Sequence, residues 1–157
     1  MKMIEDSRQQ QGKHEQKHEY WNACGDLWLR CKLPFGDYSL PPKVAVDTKE
    51  NMAEIANNIG GPAAEHKRFR EELKLAQEYG CKLFVLVENT DGIEILEDVV
   101  RWENPRRVYS SKAIDGPRLC KAMKTMQERY GVTFLFCRPE DAGRVIKELL
   151  GGEHGER

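Results

Sequence analysis

Asp47 and Lys49 are the residues of this chain whose types and spacing best suit chemistry. They lie at the end of the segment Val44-Ala45-Val46-Asp47-Thr48-Lys49, which begins as a short apolar run. Because residues i and i+2 of a β-strand point to the same face, a strand here presents the carboxylate and the ammonium together. With a second carboxylate nearby, this pair can hold a divalent cation and a water molecule over a phosphodiester. The spacing therefore indicates phosphodiester hydrolysis.

The second carboxylate lies ten residues earlier, at Asp37, after Gly36 and before Tyr38. Mg²⁺ and Mn²⁺ prefer oxygen ligands. We therefore expect Asp37, Asp47 and the backbone carbonyl of Thr48 to bind one of these cations. Lys49 would orient the attacking water or help to deprotonate it, and would stabilise the charged transition state.

A solvated surface pair is the alternative interpretation, because exposed Asp–Lys pairs are common and contribute little to stability. Three features of the surrounding sequence favour a site. The motif closes a predicted strand, a Gly-Asp turn precedes it, and a helix that carries the acidic residue Glu54 follows directly. We therefore include Glu54 with Asp37, Asp47 and Lys49 among the predicted catalytic residues.

The composition limits the class of protein. The chain has 157 residues, of which 39% are hydrophobic and 32% charged, and its net charge is -1. This balance predicts one domain over residues 1–150 with a disordered tail over 151–157. It excludes a strongly basic protein that coats DNA, although local basic patches remain compatible with specific contacts.

The same sequence predicts a cytoplasmic location. No apolar run approaches the roughly 18 residues of a transmembrane helix, and the first residues lack the apolar core of a signal peptide. The five cysteines are widely spaced and form no C-x-x-C pair. We therefore expect a reduced cytoplasmic protein with no membrane partner and no structural zinc.

Hydrophobic periodicity predicts an α/β protein. Leu27, Leu29, Cys31 and Leu33 alternate with polar or large residues, which predicts a half-buried strand that pairs with residues 43–49 in an antiparallel hairpin. Residues 103–116 are expected to form an exposed basic loop. The other predicted elements are strands at 2–6, 83–87 and 132–136, and helices at 9–23, 52–59, 65–79, just before Trp102, at 119–130 and after Pro139.

Two further groups of residues have both a functional and a structural interpretation. Residues 101–124 contain seven basic residues against two acidic ones, which suits a surface that contacts phosphates or, equally, a solvated loop and helix face. His14 and His18 have the i, i+4 spacing of metal ligands on a helix. No third ligand is evident nearby, so we expect a solvated helix there.

The segment GDYSLPPKVAVDTKENMAEIANNI, residues 36–59, resembles the nuclease domain of the XPF-type structure-specific endonucleases, a branch of the PD-(D/E)XK superfamily. That family has a Gly-Asp-Tyr or Gly-Asp-Phe turn followed by a strand that ends in Glu-Arg-Lys-x-x-x-Asp. By this resemblance Asp37 is the turn aspartate, Asp47 takes the place of the Glu, and Lys49 takes that of the catalytic Lys. Thr48 replaces the Arg, and Glu54 lies one position after the place of the final Asp.

The resemblance extends outward along the chain. Ile4-Glu5-Asp6-Ser7-Arg8 is similar to the family's opening strand, residues 66–73 to the helix that follows the signature, and residues 83–88 to the next core strand. The resemblance covers residues 2–90 and continues plausibly to 150. It implies a restriction-endonuclease-like three-layer sandwich with a central mixed β-sheet flanked by helices. The predicted DNA-binding residues, taken from these segments and the basic stretch, are Asp6, Arg8, Lys67, Arg68, Arg106 and Arg107.

The function implied by the resemblance is that of a metal-dependent DNA endonuclease that cuts branched or flapped DNA in repair or recombination. The resemblance also implies a homodimer and a stand-alone nuclease core without the family's helix-hairpin-helix module. A non-catalytic DNA-binding or interaction module with a decayed site is the alternative. A weaker alternative is another PD-(D/E)XK activity, such as resolvase or RNA cleavage.

Overall fold

The computed structural model describes residues 1–40 and 43–152, apart from the side chains of Lys2 and Leu40. Pro41, Pro42 and residues 153–157 lie outside the described residues. Most of the predicted disordered tail is therefore not described, whereas residues 151–152 form a turn after the last helix.

A mixed β-sheet forms the centre of the fold. The strands of the described residues are β1 (Lys2–Asp6), β2 (Leu27–Cys31), β3 (Tyr38–Leu40), β4 (Val44–Lys49), β5 (Lys82–Glu88) and β6 (Thr133–Cys137). Their order in the sheet is β2-β1-β3-β4-β5-β6. β1 and β2 are parallel, β3 is antiparallel to both of its neighbours, and β4, β5 and β6 are parallel.

Helices cover both faces of this sheet. The α-helices are α1 (Glu15–Ala23), α2 (Met52–Gly60), α3 (Ala63–Glu78), α4 (Gly116–Tyr130) and α5 (Ala142–Leu150), and short 3-10 helices span Leu96–Arg101, Pro105–Val108 and Pro139–Asp141. α1 and α5 pack on one face, where Trp21 and Ile146 are fully buried. α2, α3 and α4 pack on the other face, where Ile55 and Leu119 are fully buried. The predicted three-layer α/β sandwich is confirmed.

The predicted hairpin between the strand at residue 27 and the strand at residue 43 is wrong. β2 pairs in parallel with β1, with Trp28 opposite Met3. β4 instead pairs with β3, a three-residue strand that the sequence did not reveal, with Tyr38 opposite Val46. β3 is much nearer to β4 along the chain than β2 is, so that pairing closes a shorter loop and costs less entropy.

The predicted burial of β2 is also wrong. Leu27 and Leu29 are 60% and 72% exposed, whereas Trp28 is half-buried and packs against the core below α1 and α5. The ring of Trp28 stacks on that of His18, with centroids 3.9 Å apart. β2 is an edge strand whose Trp28 face is covered by α1. Exposed and half-buried residues do alternate along it, but the leucines are on the exposed face.

The basic stretch is more structured than a loop. The 3-10 helix Pro105–Val108 begins after Asn104, whose side chain accepts a hydrogen bond from the backbone N–H of Arg106. Val108 and the following Tyr109 are 81% and 92% exposed. Among the described residues, no helix is both long and apolar enough to cross a membrane.

The start of α2 is tied to the end of β4 by side-chain capping. Asn51 Oδ1 accepts a hydrogen bond from Glu54 N at 2.9 Å, and Glu54 Oε2 accepts one from Glu50 N at 2.7 Å. The first bond satisfies a backbone N–H that the first turn of a helix leaves without a partner, and the second ties the residue before the cap to that turn. α2 can therefore begin three residues after Lys49, which fixes the direction of the chain beyond β4.

Trp21→Phe is expected to lower the free energy of unfolding by about 1–3 kcal/mol, because it removes a buried hydrogen bond and part of a fully buried ring. Trp21 Nε1 donates to Gly143 O at 2.8 Å in the interior. Trp28→Phe is the matched control, since Trp28 Nε1 contacts Asn22 Oδ1 at 3.4 Å on the surface. Urea denaturation of both variants measures the difference, and an equal decrease for the two would contradict the assignment.

Candidate active site

The predicted site residues meet at one edge of the sheet because of strand direction. β3 is antiparallel to both β1 and β4, so Asp6 and Lys49, at the ends of those two strands, reach the same edge. Asp37 lies there too, directly before β3. Its carbonyl accepts a hydrogen bond from Asp6 N at 2.6 Å, and its N–H donates to Val46 O at 2.8 Å. The carboxyl ends of parallel strands are the usual place for ligand sites in α/β proteins.

A cleft of about 610 Å³ opens at this edge, between the end of β4, the segment before α1, and α3. It brings together most of the predicted site residues. Those that line the cleft are Asp6, Arg8, Asp37, Asp47, Thr48, Lys49, Glu54 and Arg68.

Three predicted DNA-binding residues do not line the cleft. Lys67 lies on the exposed side of α3, with its Nζ 3.8 Å from a carboxylate oxygen of Glu71. Arg106 Nη1 donates to a side-chain oxygen of α2 at 2.8 Å, and Arg107 Nη1 donates to a carbonyl of its own loop at 2.9 Å. These three residues are surface cations that lie outside the cleft.

Thr48 holds the carboxylate of Asp37. Asp37 Oδ2 accepts hydrogen bonds from Thr48 N at 2.6 Å and from Thr48 Oγ1 at 2.8 Å. Gly36 precedes Asp37 with φ at +71°, and a Cβ there would lie 3.1 Å from the Cβ of Ala45. The turn therefore requires glycine, and it delivers Asp37 to the end of β4 in one orientation.

Asp47 and Lys49 point the same way into the cleft, as the strand spacing predicts. Lys49 Nζ lies 2.8 Å from Asp47 Oδ2 and 5.3 Å from the ring centroid of Phe69 in α3. The two charged residues are 8% and 5% exposed, so the alternative of a solvated surface pair is wrong. Asp47 Oδ2 is buried, and within the described residues its polar neighbour is the Lys49 ammonium.

Glu72 is a member of the cleft that the sequence reasoning missed. It lies on α3, one turn after Phe69, and its Oε1 accepts a hydrogen bond from Gly36 N at 2.7 Å. This bond ties α3 to the turn that carries Asp37. The spacing of Phe69 and Glu72 places them on neighbouring positions of one helix face, but no sequence signal reveals a contact between residues 36 positions apart.

Crowding of carboxylates perturbs the acid–base properties of the cleft. Burial, followed by the negative charge of Asp47, raises the pKa of Asp37 well above its ordinary value. The same two causes raise the pKa of Glu72. Burial alone would lower the pKa of Lys49, but the charge of Asp47 and the hydrogen bond with it prevail and raise that pKa. Three carboxyl groups thus share one buried ammonium, an imbalance that a divalent cation would relieve.

Asp6 positions Arg8. The Asp6 carboxylate is buried and accepts hydrogen bonds from Arg8 Nε at 2.6 Å and from Arg8 N at 3.1 Å. Arg8 Nη2 in turn donates to Leu33 O at 2.9 Å. The side chain of Arg8 is 57% exposed, so a fixed guanidinium is presented at the rim of the cleft.

Glu54 lines the cleft but has a structural contact as well. Its carboxylate accepts the hydrogen bond from Glu50 N at the start of α2. A carboxylate oxygen used in this way has less capacity to bind a cation, which agrees with the displaced position of Glu54 in the sequence pattern.

The two histidines of the i, i+4 pair do not converge on one point. His18 Nε2 lies 2.9 Å from a carboxylate oxygen of the buried Glu5. His14 is 8% exposed and lines the cleft, and its buried Nδ1 has no hydrogen-bond partner among the described residues. Burial, followed by the charge of Lys17, lowers the pKa of His14. The expectation of a solvated helix is therefore wrong for His14.

The donor set of the cleft fits a hard cation with few protein ligands. Within residues 1–40 and 43–152, no three or more His, Cys, Asp and Glu side chains are arranged to hold a metal ion. Mg²⁺ is commonly held by one or two carboxylates and keeps several waters. Asp37 and Asp47, which both line the cleft, are enough carboxylates for that requirement.

Glu72→Ala is expected to lower the free energy of unfolding by about 1–3 kcal/mol, because the buried N–H of Gly36 is left without its acceptor. Glu72→Gln retains an acceptor oxygen at that position and removes the crowded charge, so without divalent cations it should be at least as stable as the wild type. Glu71→Ala is the control, since Glu71 lies on the exposed side of the same helix. Chemical denaturation of the three variants measures the effect, and equal stability of the two alanine variants would contradict the role of Glu72.

Comparisons with known proteins agree with this architecture. No protein-family model and no curated protein sequence matches the chain. The structure of XPF from Aeropyrum pernix is similar, with a TM-score of 0.67 and 21% identity over 100% of this chain and 66% of that one. XPF from Aeropyrum pernix in complex with DNA gives a TM-score of 0.68 and 19% identity, over 99% of this chain and 66% of that one. This chain thus spans about two thirds of the length of those proteins, and it has the XPF-type, restriction-endonuclease-like fold that its motifs predicted.

Proposed function

We propose that this chain is a metal-dependent DNA endonuclease that hydrolyses phosphodiester bonds. The observation that carries the proposal is the arrangement at the end of β4. Asp47 and Lys49 are buried side by side with 2.8 Å between their charged atoms, and Asp37 is held against the same strand by Thr48. Burial of an excess of carboxylates costs free energy, so the arrangement is better explained by a ligand than by stability.

Each residue of the cleft has a distinct proposed role. Asp37, Asp47 and the Thr48 carbonyl hold Mg²⁺ or Mn²⁺, which when bound supplies a water of lowered pKa and neutralises charge on the phosphate. Lys49, fixed by Asp47 and by the ring of Phe69, orients the attacking water and places a positive charge beside the developing one on the phosphate.

The rim of the cleft is proposed to bind the DNA backbone. Arg8 is held in place by Asp6, and Arg68 on α3 lies at the same cleft. Arginines that are fixed by a carboxylate or a carbonyl lose little further freedom when they bind a phosphate. Glu54 is proposed to assist at the metal through a water molecule, since its carboxylate also caps α2.

Branched or flapped DNA is proposed as the substrate, in repair or recombination in the cytoplasm. The support is the resemblance to XPF-type endonucleases and the similar structure of XPF from Aeropyrum pernix in complex with DNA. A homodimer is proposed on the same resemblance. A panel of single-stranded, flap, fork and four-way DNA substrates tests this specificity.

Asp47→Asn and Lys49→Met are each expected to lower the cleavage rate by at least about 100-fold, because the first removes a proposed metal ligand and the second a positive charge beside the reacting phosphate. Asp91→Asn and Lys74→Met, at exposed positions outside the cleft, are the matched controls. Gel assays on the substrate panel with Mn²⁺ measure the rates. Unchanged cleavage by the two cleft variants would show that these residues are not catalytic.

Asp37→Asn is expected to stabilise the protein at pH 7 without divalent cations. Burial and the charge of Asp47 raise the folded-state pKa of Asp37. At pH values above that pKa, the ionised carboxylate therefore lowers the free energy of unfolding. This destabilisation disappears as the pH falls through the raised pKa toward the unfolded value of about 3.9. The stability gain of the variant should therefore shrink with falling pH, which thermal unfolding in EDTA measures.

Addition of Mg²⁺ is expected to make the wild type more stable than the Asp37→Asn variant. At 100 times its dissociation constant a bound cation stabilises the native state by about 2.7 kcal/mol, and the Asp37→Asn variant should gain less than the wild type. Asp91→Asn again serves as the control. If Mg²⁺ and Mn²⁺ leave the unfolding temperature of the wild type unchanged, no metal binds.

A non-catalytic DNA-binding module is the second candidate function. One observation favours it: the carboxylate of Glu54 is engaged at the start of α2, and Asp47 is one methylene shorter than the Glu of the family pattern. The two candidates differ in metal binding, which isothermal titration calorimetry measures directly. DNA binding without metal binding or cleavage would support the module over the enzyme.

A further inference from the structure

A second concave surface lies between α3 and α4, with a volume of about 370 Å³. We call it the α3–α4 groove and define its basic residues as His66, Arg70, Arg118, Lys121 and Arg129. None of the described residues that line it is acidic. Such an uncompensated cationic groove is unexpected in a chain whose net charge is -1.

The α3 side of the groove carries two buried nitrogens without hydrogen-bond partners among the described residues. His66 and Arg70 lie four residues apart and therefore on the same face of α3. His66 Nδ1 and Arg70 Nε are both buried, and neither has a hydrogen-bond partner within the described chain. A buried donor without a partner costs free energy unless a ligand or water satisfies it. Arg70 Nε, which can only donate, therefore indicates a hydrogen-bond acceptor in the groove.

The α4 side of the groove is a polar stripe. Arg118, Lys121, Thr125 and Arg129 follow each other at spacings of three or four residues, so they lie on one face and about 5–6 Å apart along the axis. Arg118 pairs with Asp115 at 3.4 Å. Lys121 and Arg129, like Arg70 on the other side, form no ion pair with any residue that the structure describes, and their charges are available to an anion.

The groove lies on the opposite side of α3 from the cleft. Glu72 faces the cleft and Arg70 faces α4. Two residues along an α-helix correspond to a rotation of about 200°, which separates the two side chains across the helix. A ligand in the groove therefore contacts the side of α3 that faces away from the cleft.

We propose that the α3–α4 groove binds the phosphate backbone of double-stranded DNA, as an anchor separate from the cleft; this rests on the proposed function only in taking DNA as the ligand. Arginine, lysine and threonine side chains are typical partners of phosphate oxygens. The stripe on α4 is about 16 Å long, enough to follow several phosphates at one per roughly 3.4 Å of each strand. Tyr130, the aromatic residue of the groove, is 9% exposed, so base stacking is not provided and binding is independent of sequence.

The test is a charge-neutralised groove in the full-length chain. The groove variant is Arg70→Gln with Lys121→Gln and Arg129→Gln. Its matched control is Lys32→Gln with Lys43→Gln and Lys74→Gln, which removes the same charge at exposed positions outside the groove and outside residues 101–124. Fluorescence anisotropy with labelled duplex DNA in EDTA measures binding without cleavage, from about 50 to about 200 mM salt.

The groove variant is expected to bind duplex DNA at least about tenfold more weakly than the control. The slope of log K against log salt should become shallower by about 0.9 for each phosphate that the protein no longer neutralises, that is by about 2–3 in all. The double variant Lys121→Gln with Arg129→Gln, which leaves the partly buried Arg70 intact, should neutralise about two phosphates fewer than the wild type. Equal affinities and slopes for the groove and control variants would overturn the proposal.

The outcome separates this proposal from that of the nuclease. If the groove variant binds DNA like the control while Asp47→Asn abolishes cleavage, the proposed DNA-binding groove is wrong and the proposed nuclease is supported. If the groove variant binds more weakly but the wild type cleaves none of the DNA substrates, the anchor stands and the enzyme is wrong. If the wild type does not bind duplex DNA at all, the anchor is overturned, and the cleavage panel alone decides whether the chain is an enzyme.

Discussion

The two hydrogen bonds from Thr48 to Asp37 are the interactions on which the geometry of the cleft depends. They connect the residue before β3 to the end of β4, and so convert a local turn into a fixed carboxylate. Gly36 is needed at this turn because its φ is +71°, and Glu72 secures it from α3. Sheet, turn and helix thus meet at one point, and the position of Asp37 relative to Asp47 follows from all three.

This geometry has an electrostatic cost. Asp37, Asp47 and Glu72 lie close enough to one another that Asp47 raises the pKa of both neighbours, and Lys49 supplies the nearest ammonium. A core selected for stability alone would favour fewer buried carboxylates. Electrostatic repulsion of this kind is typical of functional sites. The positive charge of the proposed divalent cation would offset it.

Helix α3 connects the two functional surfaces proposed for this protein. Phe69 packs beside the ammonium of Lys49 and Glu72 holds the turn before Asp37, whereas His66 and Arg70 face α4. Leu73 and Ala76 bury the helix against the sheet, so neither surface can move without the other. DNA bound in the α3–α4 groove would therefore be anchored at a constant distance from the proposed catalytic residues.

The sequence by itself determined the α/β class, the positions of strands β4, β5 and β6, and the shared direction of Asp47 and Lys49, because these follow from hydrophobic period and strand geometry. It also led to the XPF-type fold through residues 36–59. Only the tertiary structure decided that β2 pairs with β1, that Leu27 and Leu29 are exposed, and that Glu72 joins the cleft. These features depend on contacts between residues far apart in the chain, and local patterns carry no information about which strand or helix a side chain will meet.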